Sequence, residues 1–156
     1  MKINIIAVGK IKENFYREAI AEYAKRLTRF CTFCIVEVPE TTLVGKNSKD
    51  IEKVICSEGQ AILAKVKGHI VILDLKGKML SSPQIAEYIE NKKVAGVSEI
   101  SFVIGGSYGL SNEVKLKADY SICFGNITYP HQLMRVILTE QIYRAFMINE
   151  NSEYHK

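Results

Sequence analysis

The sequence predicts a single α/β domain with a mostly parallel sheet flanked by helices, and three observations carry that prediction. Short apolar runs alternate along the chain with stretches of helical period. The run 70–75 is nearly continuous in apolar character, as expected of a strand covered on both faces. The chain has 156 residues, 47% hydrophobic and 24% charged, which is the size and balance of one globular domain with a substantial core. No linker or internal repeat divides it, so residues 1–156 are read as one domain.

The first strand is expected at 3–8, closed by Gly9, followed by a helix that puts Tyr16, Ile20, Tyr23 and Leu27 on one face and Glu18, Glu22, Lys25 and Arg26 toward water. The β-rich run 31–38 is the second strand. A polar loop with Pro39, Gly45 and Asn47 then leads to Ser48 as N-cap of a helix with Ile51, Val54, Ile55, Ile62 and Val66 on its apolar side. The third strand, 70–75, should be central. Ser82 followed by Pro83 reads as an N-cap with proline at the first helical position, and Gly96 suits the left-handed close of that helix. A fourth strand, 100–104, runs into a glycine-rich turn. A short helix from Ser111, a fifth strand at 120–124, a loop 125–130 and a last helix at about 132–149 complete the pattern.

Several function classes are excluded at once. No apolar run is long enough to span a membrane, and the opening segment is too short for a signal peptide, so a cytoplasmic protein is expected. A net charge of +4 permits contact with polyanions without marking a dedicated nucleic-acid binder. Cys31 and Cys34 make one C-x-x-C spacing inside a strand, with no second pair, so reduced structural thiols are expected and no metal. Gly105, Gly106 and Gly109 do not form a dinucleotide fingerprint, and no phosphate-binding loop, zinc-protease or hydrolase-elbow motif is present.

In open α/β sheets ligands bind beyond the carboxyl ends of strands, which selects the segments 74–80, 105–110 and 125–131. His131 opens the last helix, where its ring could face such a ligand. His69 starts a strand and is read as structural. Tyr154, His155 and Lys156 place an aromatic face, an imidazole and an ammonium together; such a tail either frays or docks over a cleft as an RNA-binding element. Arg135 and Arg144 are nine residues apart and so point in opposite directions from one helix. One of them is free to serve a partner subunit's site or to be a plain surface residue.

Motifs along the whole chain resemble one family. They are I-x-A-V-G-K (5–10), V-I-L-D-L-x-G-K (71–78), F-V-I-G-G-S-x-G-L (102–110), T-Y-P-H-Q-L-M-R-V (128–136), E-Q-I-Y-R-A (140–145) and the final Y-H-K. In that order they are similar to the RlmH family of bacterial 23S rRNA pseudouridine N3-methyltransferases, members of the SPOUT superfamily. The resemblance implies S-adenosylmethionine as methyl donor, a homodimer, a C-terminal trefoil knot, and as substrate a pseudouridine in helix 69 of 23S rRNA, in the large subunit or the assembled ribosome. Carried onto this sequence, it implies a donor pocket of Leu73, Gly105, Phe124, Gly125, Asn126, Ile127, Thr128 and Tyr129.

N3 of a uracil-type base carries a proton at neutral pH, so methylation there needs a base or a stabiliser of the anion. His155 from the partner's tail is the first candidate base, with Tyr154 beside it and His131 as the second candidate. Arg144 and Arg135 would position phosphate or steady the anionic base, and Lys156 would contact RNA. Further RNA contacts from Lys10, Lys12, Lys25, Arg26 and Arg29, or from Lys46, Lys49 and Lys53, compete with the simpler reading of solvated helix faces. The other function classes are a noncatalytic ribosome-binding factor and a related methyltransferase acting on a ribose hydroxyl or on transfer RNA.

Overall fold

A computed structural model describes residues 1–45 and 47–155, with the side chain of His155 outside the description. The elements run β1 (Lys2–Val8), α1 (Asn14–Leu27), β2 (Thr32–Val38), α2 (Ser48–Leu63), β3 (His69–Met79), α3 (Ser82–Val94), β4 (Glu99–Ile104), α4 (Asn112–Lys117), β5 (Tyr120–Cys123) and α5 (His131–Asn149), then a 3-10 turn over Glu153–His155. All five strands are parallel and lie in the order β2-β1-β4-β3-β5. The chain pairs β1 with β2, crosses over to lay β3 on the far side, and returns to insert β4 between β1 and β3. The middle strand is therefore β4; β3 is paired on both sides but stands one place from the edge.

Alternation along the strands builds two cores. Ile3, Ile5, Ile100, Phe102 and Val71 face α1, α3 and α5, where they meet Leu27, Ile89, Leu138 and Ile142. Ile6, Val8, Val38, Ile72 and Val103 face the other way, onto Ile62 of α2 and Val114 of α4. The long helix α5 supplies Met134, Leu138, Ile142, Tyr143, Ala145 and Phe146 to the first core, and no residue of it is fully exposed. That dense burial explains why it shows little amphipathic period in sequence.

Two helix caps sit one residue earlier than the sequence suggests. Asn47, rather than Ser48, caps α2 by accepting from the amide of Asp50 at 2.9 Å. Ser81, rather than Ser82, caps α3: it accepts from the Gln84 amide while Gln84 Oε1 accepts from the Ser81 amide at 2.8 Å. The reciprocal pair satisfies two donors that one serine could not. Ser111, expected as the start of the short helix, is the cap of α4, accepting from the Val114 amide.

The third strand is the larger correction. It does not end at residue 75 but continues to Met79, because the register against β5 slips between Leu73 and Lys78. Gly77 lies against the backbone of Ile122, where a Cβ would come within 2.6 Å of its carbonyl carbon. The bulge throws Asp74, Leu75 and Lys76 out of the ladder and over the carboxyl ends of the neighbouring strands. His69 is structural, as expected: Nε2 lies 2.6 Å from the Tyr88 hydroxyl and Nδ1 lies 3.4 Å from Asp119 Oδ2, at the amino end of the sheet.

Candidate active site

Beyond the carboxyl ends of β3, β4 and β5, and roofed by the first turn of α5, lies a cavity of about 500 Å³. This is the position the fold class reserves for ligands. The bulge of β3 forms one wall. The turn after β4 forms the floor: Gly109 donates its amide to the carbonyl of Gly106 at 3.0 Å and adopts a φ of +85°. A Cβ on Gly105 would lie 3.0 Å from the Gly109 backbone, so the bare glycine lets the turn fold back on itself. The segment after β5 closes the third side, bent at Gly125 with a φ of +112°. Ile104, Leu110, Ile122 and Met134 make the interior apolar, while the glycine backbone and a few polar groups reach its rim.

Those polar groups have defined states. Asp74 Oδ2 lies 2.6 Å from Lys115 Nζ and Oδ1 accepts from the Lys76 amide at 2.9 Å. Lys115, and after it the Lys76 amide, hold the Asp74 carboxyl below the ordinary aspartate range. The unfolded chain therefore binds more protons than the folded one as pH falls below about 4. The stability this pair contributes is complete above that point and is lost as pH drops through the folded value. In urea titrations between neutral pH and about pH 3, Asp74→Asn is expected to lose less of its midpoint than the unaltered chain; an equal loss would refute the assignment.

His131 lines the cavity from the start of α5. Burial, and then the neighbouring Arg135 cation, lower its pKa, with Glu40 opposing. Its imidazole is thus neutral near pH 7 and able to accept a proton.

The structure brings Leu73, Gly105, Phe124, Gly125, Ile127, Thr128 and Tyr129 together around this one cavity, with His131 beside them. Asn126 is exposed on the same segment and does not line the wall. Lys115 and Met134 line it as well, and so does Asp74, which falls in the segment 74–80 without having been given a role of its own. For Asp74 the signal was a lone carboxylate in an otherwise apolar run. Lys115, on a short helix, carried none.

Arg135 requires a correction. Its side chain is 1% exposed, too deeply enclosed to meet a phosphate on RNA. Nη2 donates to the carbonyls of Val8 at 2.5 Å and Gly9 at 2.9 Å, and Nη1 pairs with Glu37 Oε1 at 3.1 Å. The guanidinium ties the first turn of α5 to the ends of β1 and β2.

Arg144 points elsewhere, as the nine-residue spacing requires. Nη2 lies 2.6 Å from Glu140 Oε1, and the guanidinium stands 4.9 Å from the centre of the Tyr154 ring. Tyr154 packs edge-on against Tyr143 with ring centres 4.9 Å apart. Burial, and then the nearby Tyr23, push the Tyr154 hydroxyl up to about 12, so it donates and does not act as a base. The tail is therefore docked through Tyr154 rather than frayed. Its dock lies well away from the cavity of its own chain: Arg144 follows His131 by thirteen residues of helix, roughly 20 Å at 1.5 Å per residue. Lys156 and Lys46 lie outside the described residues.

The strand order and the cleft define a parallel α/β domain with a ligand site beyond the carboxyl ends of β3, β4 and β5. A family model described as predicted SPOUT methyltransferase matches residues 1–155, and the chain belongs to that family of enzymes. It is 49% identical over 159 aligned positions to a ribosomal RNA large subunit methyltransferase H 1 of Clostridium perfringens. It is 50% identical to proteins named ribosomal RNA large subunit methyltransferase H from Levilactobacillus brevis and Carboxydothermus hydrogenoformans, with all of both chains covered in each case. Among solved structures, a methylase-family protein from Haemophilus influenzae shares the fold at a TM-score of 0.53 and 18% identity, over 99% of this chain and 70% of that one.

Proposed function

We propose that this enzyme transfers a methyl group from S-adenosylmethionine to N3 of a pseudouridine in helix 69 of 23S rRNA. The observation that carries the reading is the cleft itself, in a chain about half identical over its full length to proteins named as large-subunit rRNA methyltransferases. The volume of about 500 Å³ suits a nucleoside-sized ligand. The apolar walls would enclose a purine, while backbone groups of Gly105, Gly106 and the segment 124–129 would bond its edges and the amino-acid end. Bound S-adenosylmethionine supplies an electrophilic methyl group.

The chain's own part is to hold that group in line with N3 and to take the N3 proton away. His131 is at the cavity in a neutral state suited to accepting it. His155 is the other acceptor, and the distance of its tail from its own cavity favours delivery to the cavity of a second subunit. Arg144, beside that tail and half satisfied by Glu140, is placed to steady the anionic base or a neighbouring phosphate. Homodimeric assembly, the ribosome as partner, a cytoplasmic location and the C-terminal knot belong to the same proposal. Among the described residues no helix is long and apolar enough to cross a membrane.

The deciding experiment offers labelled S-adenosylmethionine and ribosomes from a strain lacking this gene, and identifies the labelled nucleoside by mass spectrometry. Label on N3 of a 23S rRNA pseudouridine is expected. Label on a ribose or on transfer RNA would redirect the acceptor, and absence of label with a folded protein would favour a noncatalytic ribosome-binding factor.

A further inference from the structure

Helix α2 lies across the sheet from α5 and lines none of the cavity itself. It nevertheless presses two consecutive residues, Glu58 and Gly59, against the glycine turn that floors the cavity. A Cβ on Gly59 would overlap the hydroxyl of Ser111, the cap at the far end of that turn, so the bare glycine lets the helix lie flush. One residue earlier, the Glu58 side chain reaches under Gly106, where a Cβ would overlap its Oε2. Gly106 itself lines the cavity. A single glycine thus separates the ligand space from a buried carboxyl group.

Glu58 is only 2% exposed. Oε1 accepts from the amide of Thr41 at 3.1 Å, in the loop after β2, whereas Oε2 is buried with no hydrogen-bond partner among the described residues. Burying a carboxyl and leaving one oxygen unmatched is costly, and the core facing α2 is otherwise aliphatic. Burial raises the Glu58 pKa most, with the Thr41 amide opposing and Glu40 adding to the rise. In either protonation state the side chain keeps an acceptor for Thr41 and a second polar atom facing Gly106.

We infer that Glu58 is a positioning residue for the methyl-donor pocket: it supports the Gly105–Gly109 turn from beneath and ties it to the loop after β2, holding the turn's upper face where it meets the donor. The inference rests on the donor reading given above.

The test uses the full-length protein and two readouts. Hydrogen exchange of the amides in 105–110, without ligand, reports the support directly; calorimetric titration with S-adenosylmethionine and steady-state methyl transfer report its use. Glu58→Ala is expected to quicken exchange in the turn and to weaken donor binding about tenfold or more, with kcat at saturating donor within about threefold. Glu58→Gln, which keeps the acceptor for Thr41 and the shape under Gly106, is expected to restore donor affinity to within about threefold. Gly106→Ala, which drives the carboxyl away without removing it, should weaken the donor as Glu58→Ala does, and gives the answer should Glu58→Ala fail to fold. Unchanged affinity in a folded Glu58→Ala or Gly106→Ala protein would overturn the inference, as would Glu58→Gln as weak as Glu58→Ala. If the unaltered protein binds no donor while exchange in the turn still depends on Glu58, the donor reading fails and the support of the turn stands.

Discussion

Two chains, each inactive through a different lesion, are expected to recover methyl transfer when assembled into one dimer. The first carries Gly105→Val, which places a branched side chain where even a Cβ would lie 3.0 Å from the Gly109 backbone. The second carries His155→Ala in the tail. Each homodimer should be impaired, the tail variant by about 10² to 10⁴ in kcat if its imidazole is the proton acceptor. In a dimer of one chain of each kind, the intact cavity belongs to the tail variant and the intact tail to the cavity variant. A tail that works on the neighbouring subunit then completes one of the two sites, and about half the unaltered rate per dimer is expected for a two-fold symmetric assembly. A tail that works on its own cavity would give none. The structural ground is the roughly 20 Å of α5 between His131 and Arg144, on which the tail is docked. Purifying the mixed dimer through two different tags and measuring its turnover decides the matter. Full activity of the His155→Ala homodimer would instead move the proton acceptor to His131.

Replacing Arg135 with methionine is expected to destabilise the fold by about 3 to 5 kcal/mol, the usual cost of removing one member of a buried charged network. The acceptors left behind decide the size. The carbonyl of Val8 is buried and loses its only side-chain donor among the described contacts, and Gly9 and Glu37 lose theirs. At roughly 2 to 4 °C per kcal/mol for a chain of this length, the midpoint of thermal unfolding should fall by about 6 to 20 °C. Glu37→Gln is the control. Its side chain is 35% exposed and can be rehydrated, so about 1 kcal/mol is expected from that side. A small effect of Arg135→Met with a large one of Glu37→Gln would refute the assignment and mean that Glu37 acts apart from the arginine, through the Ile11 amide that it also accepts from. Because Arg135 also anchors the turn that carries His131, the variant should bind donor weakly even below its unfolding temperature.

What the sequence made legible was the part of the molecule governed by local pattern. Apolar runs such as 3–8 and 100–104 lie where expected because a strand covered on both faces is apolar along most of its length. The glycine turn and the bend at Gly125 were readable because close backbone approach leaves few alternatives to glycine. Reading failed where the deciding neighbour is remote in sequence. Lys76, Gly77 and Lys78 look like a loop, yet they continue a strand, since Gly77 has the backbone of Ile122 against it. Arg135 looks like a phosphate ligand until Val8, Gly9 and Glu37 are found around it. Glu58 looks like one more solvated helix position, and the faint sign otherwise was the glycine beside it in mid-helix, where glycine weakens a helix unless close packing requires it. The docking of Tyr154 depends on Tyr143, Arg144 and Glu140 presenting one surface, which periodicity alone does not reveal.

The return of α5 onto α1 has a consequence for biosynthesis. Leu27 of the first helix is covered by a core whose other side is Leu138, Ile142 and Phe146, and β1 cannot be enclosed on its β4 side until β4 has been made. A nascent chain that has emerged only as far as β3 holds β1 and β2 with one apolar face bare. Cooperative folding therefore has to wait until α5 leaves the ribosome. Variants that slow the closing of α5, Arg135→Met first among them, should show their defect in soluble yield before they show it in the stability of molecules already folded.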